Sequence, residues 1–201
     1  MINKFLKAKH WQLFLLGFGI PMAFQFLFMF SVIAGMNDQG ELDPDTFFSF
    51  ISFLPIIIVL SMSILFGWFW SIAIGLQDKI PENVKMKVGK FKVFFFIPLI
   101  YISLISFMIF SMMSMIAGVF ASTMTSVGVG LIFFLHLFSM FCIFYVMYFA
   151  AKTFKTVELQ REVSFSDFVG EFFLLWFFPI GIWFLQPKVN EMMDEEDSDF
   201  L

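Results

Sequence analysis

Residues 171–190 read "EFFLLWFFPIGIWFLQPKVN", and whether this stretch crosses a bilayer or turns back inside one decides the architecture. Its uninterrupted apolar run, Phe172 to Leu185, is 14 residues long. As one straight helix that run covers about 21 Å, against about 30 Å of hydrocarbon. Extension upstream takes in Glu171 and then Asp167. The middle carries Pro179 and Gly181, which remove a backbone donor and loosen a helix. Trp176 and Trp183 add rings that favour the headgroup level. The expectation is a partial helix over about 165–186, re-entrant or interfacial and broken at Pro179 and Gly181, with a fifth crossing as the alternative. Its entry is marked by Ser164 and Asp167 at capping-box spacing, with Val163 and Phe168 placed as a hydrophobic staple.

Working outward, the rest of the chain is still more apolar. Of 201 residues 60% are hydrophobic, 35 are Phe, and only 14% are charged, where a soluble domain carries about 25%. Four blocks, at about 11–34, 47–76, 93–119 and 127–151, each reach the roughly 20 residues that a helix needs to span a bilayer. They are continuously apolar, without the alternation of a barrel strand, so helices are required. The fold class expected is an all-α integral membrane protein: a bundle of four transmembrane helices plus the short C-terminal helix. Residues 1–10 form an N-terminal segment, 11–190 one membrane domain, and 191–201 an acidic disordered tail.

Charge sets the orientation. The first connection, "MNDQGELDPDT" (36–46), holds only acids, whereas "QDKIPENVKMKVGKFK" (77–92) carries five lysines and "KTFKTVELQREVSFSDF" (152–168) adds Lys152, Lys155 and Arg161. The connection "FASTMTS" (120–126) is uncharged. Because Lys and Arg are retained on the cytoplasmic side, the N-terminus and both basic segments are expected there, in a multi-pass protein of the cell membrane of bacterial inner-membrane type. Lys188 joins them if the last helix turns back.

Association inside lipid depends on close approach and side-chain hydrogen bonds. Ser63, Gly67, Ser71 and Gly75 recur every fourth residue, with Ser49 and Ser52 extending nearly the same face. Ser103, Ser106, Ser111, Ser114 and Gly118 gather on one arc of the third block. Both are read as helix-packing faces. Pro21, Pro55 and Pro98 are each able to kink their helices.

Chemistry is sparse. The four long blocks contain no Asp, Glu, Lys or Arg; His136 and Gln25 are the candidate functional polar residues within the membrane, each with a plainer use as a hydrogen-bonding link between helices. His10 and His136 are too far apart to share a metal, Cys142 is the single cysteine, and no catalytic or phosphate-binding signature occurs. The reading is a non-enzymatic protein with no catalytic, cofactor or metal residues. Its partners are the lipid bilayer and other membrane subunits or further copies of itself, with no nucleic acid. The alternative is a small transporter or permeation component built on the broken C-terminal helix.

Overall fold

The computed structural model describes residues 2–36, 44–113 and 126–198, with side chains over 2–36, 52–109 and 130–194. All regular elements among them are helical. They are α1 (Ile2–Leu6), α2 (His10–Ala34), α3 (Pro44–Gly75), α4 (Val88–Met113), α5 (Ser126–Leu159), α6 (Phe165–Trp176) and α7 (Phe178–Ser198). Among the described residues, four helices are long and apolar enough to cross a membrane: α2, α3, α4 and α5. The acidic residues beyond 190, expected as an unstructured tail, continue α7 as helix to Ser198.

The helices α3, α4 and α5 pack mutually, α2 lies against α3, and α6 lies against α5. Antiparallel neighbours fix the register: Phe91 stacks on Phe149 with centroids 4.8 Å apart, Phe66 meets Phe95 edge-on at 5.5 Å, and Tyr101 meets His136. The buried residues are concentrated at one end of this bundle. Phe66, Trp68, Phe69, Phe91, Phe149, Phe154 and Phe168 are almost wholly enclosed there, and aromatic pairs of this kind contribute about 0.5–1.5 kcal/mol each beyond area burial.

That same end gathers every basic residue. The chain start, the 76–88 connection, the 160–164 turn and residues 186–190 all converge on it. Ile2 and Leu6 crowd Gly75, Gln160 donates to the Lys79 carbonyl at 3.2 Å, and Lys188 pairs with Glu158 at 2.6 Å. All twelve Lys and Arg residues of the sequence lie in these segments or in the helix turns that adjoin them.

The opposite half is open. No residue of Ile20–Ala34 is buried, and residues 133–138 on α5 are exposed in unbroken succession. At about 100° per residue, six consecutive exposed positions pass more than once around the helix, so every face of α5 stays substantially exposed there, even where Tyr101 meets His136.

Candidate functional site at the basic end

The last apolar stretch folds as two helices, α6 and α7, that double back on each other. Its reversal is shown by a chain of ion pairs: Lys188 to Glu158 at 2.6 Å, Glu158 to Lys155 at 2.6 Å, and Lys155 to Glu171 at 2.9 Å. Glu171 and Lys188 are thus near neighbours, although 17 residues of continuous helix would place them about 25 Å apart.

The break is at Phe177, whose backbone (φ −89°, ψ 59°) leaves the helical region. Its N–H closes α6 onto the Phe173 carbonyl at 2.9 Å, and its own carbonyl accepts from Ile180 at 2.9 Å and Gly181 at 2.8 Å to open α7. Pro179 and Gly181 therefore do not break a helix in its middle, as the sequence reading expected. Pro179 sits in the first turn of α7, where a missing N–H costs little. Gly181 allows close approach instead. A Cβ there would stand 1.7 Å from the Leu174 carbonyl oxygen, so the two backbones touch at this point.

The tip of the hairpin is seated in the first long helix. Over Leu15–Gly19 α2 widens into a π-helical turn, and a Cβ on Gly17 would lie 2.7 Å from the ring of Phe178. The indole of Trp68 meets the same ring edge-on at 5.5 Å. Farther down α7, Trp183 packs on His10 at 4.5 Å and on Phe14 at 5.6 Å. Gly17 is seven residues beyond His10, so the Phe178 ring meets α2 about 10 Å along from the Trp183 contact.

Below the tip lies a buried polar hub. Gln186, fully enclosed, accepts from Trp68 Nε1 at 2.7 Å. Its amide nitrogen donates to the carbonyls of Phe5 at 3.0 Å, Leu6 at 3.1 Å and Ala8 at 2.8 Å, two hydrogens serving three acceptors. Asn190, one turn on, donates to Leu6 at 2.7 Å and Ala8 at 3.2 Å. A helix as short as α1 leaves its last carbonyls without intrahelical partners, and these two amides supply them. On its other side α1 fits the small residues of α3: the ring of Phe5 covers Gly67, and Ile2 and Leu6 cover Gly75. Sequence reasoning passed over Gln186; a single amide after an apolar run and before Pro187 has no spacing that marks it.

The entry to α6 has its own lock. The Asp167 carboxylate accepts from the Ser164 N–H at 2.8 Å and the Ser164 hydroxyl at 2.9 Å, while Arg161 pairs with it at 2.9 Å. Val163 and Phe168 are both buried. Hydrogen bonding from Arg161 first, then from the Ser164 backbone and hydroxyl, lowers the Asp167 pKa to about 2. A depressed carboxylate adds stability above its ordinary pKa near 4 and loses it as pH falls through about 2. Asp167→Asn is expected to melt below the wild-type protein at neutral pH, with the gap closing between about pH 4 and pH 2. A gap that persists unchanged at pH 2 counts against the lock.

The other sequence candidates fall outside this site. His136 is exposed on α5, with Nδ1 at 3.1 Å from the hydroxyl of Tyr101 on α4. Gln25 is exposed on α2. Ser63 and Ser103 are exposed and bond back to the carbonyls of Val59 at 2.7 Å and Leu99 at 2.8 Å, whereas Ser71 is buried and bonds to Gly67 at 2.7 Å. The side chains of Ser49 and Ser111, and residues 37–43 and 114–125 with Ser114 and Gly118, lie outside the described residues. Among the described residues no three His, Cys, Asp or Glu side chains group as metal ligands would. No protein-family model, curated protein or solved structure matches this chain.

Proposed function

We propose that the protein is a non-enzymatic, multi-pass subunit of a bacterial-type inner membrane, with its basic end toward the cytosol, and that it works by packing against other membrane helices. The observation that carries this reading is the set of polar side chains left exposed in the uncovered half: Gln25, Ser63, Ser103, and His136 with Tyr101 beside it. Lipid offers these groups no hydrogen bonds, and a neighbouring helix does. Packing a tight aromatic core at one end only, the chain keeps the other half free for such neighbours.

On this reading α6 and α7 form a shallow re-entrant hairpin, entering and leaving on the cytosolic side. The gathering of the chain start, Glu158 and Lys188 at one end supports it. A transport pathway built on broken helices would have the break near the bilayer midplane. The tip at Phe178 meets α2 only about 10 Å beyond His10, and its ring is buried against Gly17 and Trp68.

Two measurements test the proposal. Single cysteines at Asn3 and Asp194 in a Cys142→Ala chain are expected to react with an impermeant maleimide only in opened cells; labelling from opposite sides would refute the hairpin topology. Purification in mild detergent is expected to bring down membrane proteins or further copies at fixed stoichiometry. A lone monomer that conducts solute in liposomes would replace this reading with the transporter.

A further inference from the structure

Between α3 and α4, in the open half, lies a cleft of about 550 Å³ lined by Pro55, Ile56, Val59, Ser63, Ser103 and Ser106 among others. Its walls are apolar except for three serines. Ser63 and Ser103 have spent their protons on backbone carbonyls but keep lone pairs as acceptors. Ser106 differs: it is 5% exposed and its hydroxyl has no hydrogen-bond partner. A buried hydroxyl without a partner is unusual enough to require a cause.

One side chain of the same chain has the opposite defect. Gln25 presents a primary amide on an exposed face of α2 with no hydrogen bond among the described residues. The helix register sets its height. A Cβ on Gly17 would lie 3.3 Å from Ile64, so eight residues on, in antiparallel helices, Gln25 is level with Ile56. Phe66 meets Phe95, so eleven residues on, Ser106 is level with Pro55. The amide and the unpartnered hydroxyl therefore share one height, about 22 Å from His10 along the bundle. Two copies inserted the same way in one bilayer hold these groups at a common depth.

We propose that Gln25 of one copy enters the α3–α4 cleft of a second copy, its amide donating to the serine oxygens and its carbonyl accepting from the Ser106 hydroxyl after rotation about χ1. Reciprocal insertion gives a two-fold dimer, each copy supplying α2 to the other. The inference rests on the helix-packing reading above and names the partner as the chain itself.

The test uses full-length chains in native membranes with Cys142→Ala throughout. One tagged copy carries Gln25→Cys and a differently tagged copy carries Ile56→Cys, with copper phenanthroline added as oxidant. A disulfide between the two tags is expected at several times the yield of the pair Leu16→Cys and Ile56→Cys, whose levels differ by nine residues. Gln25→Leu and Ser106→Ala, each alone, are expected to raise the dimer dissociation constant about threefold, the size of a typical interhelical hydrogen bond in a membrane. Equal yields for matched and mismatched pairs would overturn the proposal, as would a bond that forms only within a doubly substituted chain. If the matched pair fails while foreign membrane proteins still co-purify at fixed ratio, the self-docking inference falls and the subunit reading stands. A monomer with no companions removes both.

Discussion

Gly181→Ala is expected to open the C-terminal hairpin and to be the most damaging single-methyl change in the protein. The added carbon would sit 1.7 Å from the Leu174 carbonyl oxygen and 2.4 Å from its carbon, and backbone cannot swing aside as a side-chain tip can. Relief requires α6 and α7 to separate. That separation pulls Phe178 from Gly17 and Trp68 and strains the Lys155–Glu171 pair. Overpacking of this kind costs at least about 3 kcal/mol, the top of its ordinary range, and a melting-temperature loss on the order of 10 °C. Gly170→Ala is the internal control. A Cβ there meets nothing within 4 Å, so the replacement is expected to be neutral or to stabilise by up to about 1 kcal/mol through lower entropy of the unfolded chain. Thermal unfolding in detergent followed by tryptophan fluorescence compares the two. A Gly181→Ala protein as stable as the Gly170→Ala protein would mean that the two helices do not touch at Leu174.

Gln186→Leu is the second large effect, and its cause is electrostatic rather than steric. Leucine is close in volume but leaves the buried Trp68 N–H with no partner, while the Ala8 N–H still serves the Phe5 carbonyl and Asn190 still serves Leu6 and Ala8. The loss is about 1–3 kcal/mol, the cost of one stranded buried group. It should appear locally first, because α1 is held by this hub and by its fit over Gly67 and Gly75. Trypsin is expected to cut at the N-terminal lysines faster in Gln186→Leu than in the wild-type chain, before any change at the 77–92 connection. Trp68→Phe combined with Gln186→Leu should cost less than the sum of the two, since Trp68→Phe removes the donor that Gln186→Leu strands. Strict additivity would show that the indole and the amide do not interact.

The long helices were legible because continuous hydrocarbon over some 20 residues permits little else: α2 through α5 begin within about five residues of the expected starts. The four-residue spacing of Gly67, Ser71 and Gly75 was visible as well, but not what lies over it. A small-residue stripe states that something approaches closely, and the occupant over Gly67 and Gly75 is the short α1 rather than a neighbouring span. Glu171 illustrates the same boundary. In the sequence it is a charge that shortens an apolar run; in the fold it is one end of a ladder through Lys155 and Glu158 to Lys188.

By itself, the sequence determined that the chain is helical, that four of its helices have the length and greasiness to cross a bilayer, and that its basic residues belong to alternate connections. Those properties are additive along the chain: each follows from local composition and the 1.5 Å rise of a helix. Only the tertiary structure decided that residues 165–198 turn at Phe177, that Gly181 lets backbone meet backbone, and that Gln186 binds the chain start to its end. These depend on atoms 7, 118 and about 180 positions apart, and no local pattern encodes which distant carbonyl an amide will find.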